Sequence, residues 1–264
     1  MKVVSVEDGF EGAFWDLVNQ DPLDYYFFIF DWKRRREQTK VWLAMENGKV
    51  AGSMLLYSPQ GKGRDNVVQL RGSREAAELL LDSIDFERVE LQAPLDCEDI
   101  LLKKLRPWFR HVLVLMRLKK GEENLQIKHK PGKLGVETVA EAVDIMRRAD
   151  PEIWGELDAQ WQKLAWEDTY MLGIRRDNRL VSFGNTRFVD IGSNIGAVAT
   201  DQAYRNMGFA TSIVSALVEE ILRKSPPALI HVLSDNAPAV RAYTKVGFKP
   251  YKQYLIIRAN WVRG

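Results

Sequence analysis

The sequence predicts an α/β protein, of the α+β kind with mixed sheet, built as two similar domains in tandem. Three observations predict this. The chain has 264 residues, enough for about two domains of ordinary size. Both halves show one order of signals: hairpin, strand, helix, strand, helix, strand, and such self-similarity points to repeated architecture. Between them lies a polar stretch, 119–133, with Gly121, Pro131 and Gly132, which reads as a join. The division falls into 1–125 and 126–264.

In the second half, 169–174 reads as a strand, Arg175-Arg176-Asp177-Asn178-Arg179 as its turn, and 180–188 as the hairpin partner. After Gly192-Ser193-Asn194 a third strand covers 195–200. A helix over 208–224 follows, with Val214, Leu217, Val218 and Ile221 at helical spacing, and Ser225-Pro226-Pro227 stops it. An apolar strand at 229–233, a short helix at 238–246 ending at Gly247, and a strand at 251–257 complete the half. In the first half, 41–45 and 50–57 flank Glu46-Asn47-Gly48-Lys49, and Asn-Gly is a favoured hairpin pair. A strand at 67–70, a helix at 75–84, a strand at 89–92, a helix at 97–105 and a strand at 111–118 follow.

Composition narrows the class. The chain is 46 % hydrophobic and 28 % charged, ordinary for a soluble globular protein. Its net charge of +2 argues against a dedicated nucleic-acid binder. Residues 1–125 hold 19 basic and 21 acidic side chains, and 126–264 hold 19 and 15, so positive charge leans to the second half. Cys97 is the single cysteine, which excludes an internal disulfide and fits a reducing, cytoplasmic setting. The N-terminus turns acidic at Glu7 and Asp8 before an apolar core can develop, unlike a signal peptide. The apolar runs 25–30 and 112–116 are too short to cross a bilayer, so no membrane role is expected.

The block Val198-Ala199-Thr200-Asp201-Gln202-Ala203-Tyr204-Arg205-Asn206-Met207-Gly208-Phe209-Ala210-Thr211 joins a strand to a helix. In it Arg205, Gly208 and Ala210 form an Arg-x-x-Gly-x-Gly/Ala spacing. Small residues there let the N–H groups of a helix N-terminus approach a diphosphate, which the helix dipole also favours. Taken singly, the block also reads as a plain loop. A second block, Asn236-Ala237-Pro238-Ala239-Val240-Arg241-Ala242-Tyr243-Thr244-Lys245-Val246-Gly247-Phe248, puts an asparagine after an apolar strand and a tyrosine seven residues on. Asn236 also reads as a helix cap, Tyr243 as packing and Gly247 as a C-terminal stop. The conjunction of both blocks, in order and on those elements, is much rarer than either.

On these two motifs, residues 136–258 resemble the GNAT acetyltransferase superfamily, and the tandem layout resembles glycine N-acyltransferase-like proteins. The motif-level match covers about fifty residues, and elsewhere only the order of elements supports it. The resemblance implies two tandem GNAT-like domains and acetyl-CoA as acyl donor. Backbone groups of Val198, Ala199 and Thr200 would pair with the pantetheine arm and acetyl carbonyl. The turn from Arg205 through Asn206, Met207, Gly208, Phe209, Ala210 and Thr211 would hold the diphosphate. Asn236 would bond the pantetheine arm, and Tyr243 would protonate the departing thiolate. Asn206 and Ala210 depart from the glycines common at those positions.

The implied reaction is direct acetyl transfer to a primary amine in a ternary complex: a small molecule, an amino acid or a protein N-terminus. An amine of pKa about 10.4 is mostly protonated at neutral pH, so a base helps. His231 interrupts the apolar strand Leu229-Ile230-His231-Val232-Leu233 and reads either as that base or as a satisfied core histidine. His111, His129 and His231 lie in separate elements without ligand spacing, so no metal is expected. The first half lacks the cofactor pattern at Leu70-Arg71-Gly72-Ser73-Arg74 and has neither asparagine nor tyrosine between Pro94 and Pro107. It reads as a degenerate domain without CoA that shapes the acceptor cleft or mediates assembly, a homodimer included. Trp154, Trp161 and Trp166 with Glu152, Glu156, Asp158, Glu167 and Asp168 read as an acceptor rim or, better, as core aromatics beside solvated acids. Lys33-Arg34-Arg35-Arg36 reads as a helix end. The alternative function is a non-catalytic acyl-CoA-binding module acting as sensor or scaffold.

Overall fold

The computed structural model describes residues 1–59, 65–84 and 87–262, without the side chains of 161 and 164. In chain order the first half forms β1 (Lys2–Ser5), α1 (Glu11–Val18), α2 (Tyr26–Arg34), β2 (Thr39–Glu46), β3 (Lys49–Tyr57), β4 (Asn66–Gly72), α3 (Arg74–Asp82), β5 (Arg88–Ala93), α4 (Glu98–Lys104) and β6 (Leu105–Leu118). The second forms β7 (Gly132–Leu134), α5 (Val139–Ala149), α6 (Pro151–Trp154), α7 (Ala159–Ala165), β8 (Tyr170–Arg176), β9 (Arg179–Thr186), β10 (Ser193–Thr200), α8 (Phe209–Lys224), β11 (Ala228–Leu233), α9 (Ala237–Val246) and β12 (Lys249–Trp261).

The chain condenses into two compact units. One comprises Met1–Val114, Leu233–Asp235 and Lys252–Gly264, the other Leu115–Val232 and Asn236–Tyr251. In the first, β1, β2, β3 and β4 run antiparallel to their neighbours, β4 and β5 are parallel, and β12 lies antiparallel to β5. In the second, β7, β8, β9 and β10 are antiparallel in turn and β10 is parallel to β11. In each unit one helix, α3 or α8, connects the parallel pair, as parallel strands require.

The two hairpins repeat in detail. Asn47 and Gly48 have φ of 49° and 78°, and Asp177 and Asn178 have 48° and 62°. Both are two-residue turns with two positive φ values, the form that matches strand twist. Each hairpin also carries a register shift just before its turn, at Ala44/Met45 and at Ile174/Arg175.

Burial follows the patterns expected of each element. In α3, Ala76, Ala77, Leu80 and Leu81 face the core and pack with Val68 and Leu70 of β4 and Val89 and Leu91 of β5. Leu255, Ile257 and Ala259 of β12 join that core at period two. The last strand thus runs beyond 251–257, and from Lys252 it counts with the first unit. The second unit's core gathers Val139, Val143 and Met146 of α5 with Phe183, Ala197, Ala199 and Trp166.

Other departures have local causes. The strand expected at 111–118 begins at Leu105, because Arg106, Pro107 and Arg110 break the alternation in sequence. The edge strands β1 and β7 are four and three residues long, too short to show a period. The 25–30 run becomes the start of α2, and the basic run closes that helix. Arg35 pairs with Asp31 at 3.1 Å, while Arg36 pairs with Glu7 at 2.8 Å and lies 3.7 Å from the Trp32 ring centroid. Among the described residues no helix is long and apolar enough to cross a membrane.

Candidate active site

The site assembles in the second unit where two strands part. β10 and β11 pair in parallel only at Ser193↔Ala228, Asn194↔Leu229 and Ile195↔Ile230. Immediately afterwards β10 carries a bulge between Ile195 and Val198, and a bulge bends the strand that bears it. The Asn185 Oδ1 accepts the Ala197 N–H at 2.9 Å, which holds the bulge in place.

Beyond the bulge the register is Val198↔Gly184, Ala199↔Phe183 and Thr200↔Ser182. The Asp201 N–H donates to the Val181 carbonyl at 2.9 Å. Antiparallel pairs alternate between bonded and non-bonded positions, so Ala199 faces β9 with its backbone groups. Those of Val198 and Thr200 point the other way, to the edge that parts from β11. The Ser182 and Thr200 hydroxyls, 2.8 Å apart, brace this end of β10.

The turn after β10 is held by Arg205 of the motif together with Asp201, which the motif spacing does not single out. Asp201 is buried, accepts from Arg148 at 3.2 Å and Arg179 at 2.8 Å, and caps the Ala203 N–H at 3.1 Å. Arg205 donates to the Ala149 carbonyl at 2.7 Å, tying the turn to the end of α5. Asn206 sits at φ 62° and Gly208 at φ 85°. Both are left-handed positions, which glycine favours and asparagine tolerates, so Asn206 in place of a glycine keeps the turn. Gly208 caps α8 without any side-chain acceptor. The amides of Phe209, Ala210 and Thr211 therefore open the helix with no capping side chain, and the first N–H groups of a helix lack intrahelical partners.

The first unit supplies a contrast. There β4 and β5 pair from Asn66↔Val89 to Gln69↔Gln92, and Gly72 and Ser73 lead directly into α3. Ser73 Oγ accepts the Ala76 N–H at 3.2 Å, so this helix end is capped by its own side chain. Arg71, 5 % exposed, bonds Asp24 at 2.6 Å and lies 4.0 Å from the Tyr254 ring centroid. Tyr254 Oη donates to the same Asp24 Oδ1 at 2.6 Å.

On the far side of the gap, Asn236 Oδ1 accepts the Ala239 N–H at 3.2 Å, so it caps α9. Asn236 itself is exposed. Tyr243 lies on α9, only 7 % exposed, and burial pushes its phenol well above the usual tyrosine value. It is thus a neutral O–H donor across the neutral range. His231 is half-buried and its Nδ1–H donates to Asn194 Oδ1 at 3.0 Å, across the last paired rung of β10 and β11. In the neutral ring this makes Nε2 the nitrogen with the lone pair.

Of the proposed rim, Trp166 is in the core and Trp154 packs against it, whereas Glu152, Glu156, Asp158, Glu167 and Asp168 are exposed. The side chain of Trp161 lies outside the described residues. The lone Cys97 is buried, and desolvation pushes its thiol up to about 11.

The fold recurs in solved structures. A Drosophila protein matches with a TM-score of 0.73 at 14 % identity, over 98 % of this chain and 97 % of its own. A tandem GNAT protein from the clavulanic acid biosynthesis pathway matches at 0.61 and 14 % identity, over 100 % and 99 %. A GNAT-family acetyltransferase from Colwellia psychrerythraea matches at 0.58 and 13 % identity, over 98 % and 100 %. The chain has the fold of the GNAT acetyltransferases. Within it, residues 171–257 match the family described as FR47-like protein. A comparison with curated proteins finds no match.

Proposed function

We propose that the protein is an acetyl-CoA-dependent N-acetyltransferase that transfers the acetyl group directly to a primary amine in a ternary complex. The observation that carries this reading is the opening between β10 and β11, with the uncapped N-terminus of α8 at its mouth. An extended amide-bearing arm can pair with the exposed backbone edge of Val198 and Thr200, as an added strand would. The diphosphate belongs on the amides from Asn206 to Thr211, where dipole and donors both favour an anion.

When bound, acetyl-CoA supplies an activated acyl group and a thiolate leaving group. The chain's residues then have three tasks. The Thr200 N–H polarises the carbonyl oxygen in a slot poor in water, where such a donor is strongest. The His231 Nε2 takes a proton from the amine nitrogen as the C–N bond forms. Tyr243 Oη gives a proton to sulfur as the C–S bond breaks, and return of the His231 proton to the Tyr243 phenolate through solvent restores both groups and balances the transfer. A covalent route through Cys97 has no support, since a buried thiol raised to about 11 holds little thiolate at neutral pH.

The first unit, with its Ser73 cap and its Arg71–Asp24 pair, is read as a degenerate domain that holds no CoA. On this reading residues 1–125 are the degenerate domain and 126–264 the catalytic one. A cytoplasmic setting fits the single, buried cysteine.

Two measurements test the proposal together. Calorimetry with acetyl-CoA should give one site per chain, and thiol release across a panel of amines should depend on both substrates. Release of CoA in a burst without amine would contradict direct transfer. Binding without turnover on any amine would instead favour a sensor or scaffold that binds acyl-CoA.

A further inference from the structure

A basic concavity of about 270 Å³ adjoins the α8 turn within the second unit, lined by His129, Lys130, Lys133, Arg175 and Arg176 among others. Its lining holds no carboxylate. It is smaller than the roughly 300–1,000 Å³ of a site for a whole drug-sized ligand, so it suits one charged group rather than a complete nucleotide.

Not all of its cations are available. Arg175 is engaged by Glu141 at 2.7 and 3.0 Å and by the Asn178 carbonyl. The Lys133 ammonium lies 5.9 Å from the Tyr170 ring centroid. Lys130 is exposed, and Arg176 is anchored through Nη2 to His129 Nδ1 at 3.1 Å and lies 5.4 Å from the Phe209 ring centroid. Because a guanidinium only donates, Nδ1 accepts and the Nε2–H donates to the Met207 carbonyl at 2.9 Å. The His129 ring also stacks on Phe209, with centroids 4.1 Å apart and planes at 17°. One imidazole therefore joins the concavity to the turn between Asn206 and the first residue of α8.

We propose that this concavity receives the 3′-phosphate monoester of CoA, through Lys130 and Arg176, while the 5′-diphosphate occupies the α8 turn. This rests on acetyl-CoA binding at that turn. The two phosphate groups sit on one ribose, so the second must fall within a few bonds of the first. The concavity next to Met207 is within that reach, and the charges of Lys130 and Arg176 together match the dianion. His129 acts as a positioning residue: it holds Arg176 from one ring nitrogen and the turn from the other.

The test is the ratio of affinities for CoA and 3′-dephospho-CoA, measured by calorimetry at one fixed ionic strength because exposed charges are screened by salt. The wild type is expected to prefer CoA on the order of tenfold, the factor carried by one charge-assisted contact. In Lys130→Ala and Arg176→Ala the ratio should fall towards one, and Lys130→Arg should restore it. Equal affinity in the wild type, as for a pocket that takes a free anion, overturns the proposal, as does a preference that survives both alanine variants. Failure of either nucleotide to bind overturns instead the reading on which it rests.

Discussion

Asn185 and Ala197 are joined side chain to backbone: the carboxamide oxygen on β9 accepts the amide that the β10 bulge turns out of register, at 2.9 Å. Parallel pairing with β11 ends two residues earlier, at Ile195. The bond thus stabilises the point at which a continuous sheet becomes a slot, and Asn185 itself is 2 % exposed.

Asn185→Ala should accordingly leave the Ala197 N–H buried without its acceptor. The expected loss is about 1–3 kcal/mol in urea unfolding, with weaker acetyl-CoA binding because the slot relaxes. Asn185→Asp keeps an acceptor and should retain more of the binding. Unchanged affinity and stability in the alanine variant would remove Asn185 from this role.

Gly208→Ala tests the turn. A Cβ there meets nothing closer than the Lys128 Cδ at 3.9 Å, so space is not the difficulty. The cost lies in φ 85°, roughly 1–2 kcal/mol for a residue with a side chain. Acetyl-CoA affinity should drop as the turn flips to avoid it, and thermal unfolding together with calorimetry would show this.

Tyr243→Phe removes the proton donor while keeping the ring that packs 6.3 Å from Phe248. Turnover should fall on the order of a hundredfold, the usual weight of a general acid, with acetyl-CoA affinity little changed. The raised phenol also predicts that the wild-type rate shows no tyrosine deprotonation up to pH 10. Full activity in the variant would exclude the assigned role.

Cys97 makes stability depend on alkaline pH. Its folded thiol is raised from an ordinary value of 9.0 to about 11 by burial, so the native state keeps a proton that the unfolded chain releases first. Stability is complete below pH 9 and falls as pH rises through 11, by on the order of 2 kcal/mol. Urea midpoints for wild type and Cys97→Ala between pH 8 and 10.5 should diverge in slope. Parallel slopes would contradict the assignment.

Asp24→Ala strips the carboxylate from Arg71, which is 5 % exposed and bonded to it at 2.6 Å. The buried guanidinium keeps only neutral partners, the Leu70 carbonyl at 2.9 Å and the Asp24 carbonyl at 3.3 Å, so losing its counter-charge should cost about 3 kcal/mol. The same change frees Tyr254 Oη from its 2.6 Å acceptor. A shift below 1 kcal/mol in the unfolding curve would show that water replaces the carboxylate at little cost, as at a surface pair.

Much of the fold was legible because its signals are local. Asn47-Gly48 announces a hairpin through the φ values it tolerates, Val214 to Ile221 announces a buried helix face through spacing, and Pro226-Pro227 ends that helix. The turn at Gly208 was legible through the Arg-x-x-Gly-x-Gly/Ala spacing, whereas the left-handed φ at Asn206 and Gly208 came with the structure. By contrast, β1 and β7 are too short to carry a period, and Pro107 disguised the beginning of β6.

The amino-acid sequence by itself determined the repeated order of elements, the turn after β10 and the presence of Asn236 and Tyr243 on the helix after β11. Only the tertiary structure decided that Leu255, Ile257 and Ala259 complete the first unit's core, that Asp201 gathers Arg148 and Arg179, and that Asn185 holds the bulge. The physical reason is range. Propensity, spacing and left-handed φ act over a few neighbours, whereas a buried carboxylate or carboxamide is satisfied by whatever folding brings beside it. A strand's place in a sheet is likewise set by its partners' edges, and these lie far away along the chain.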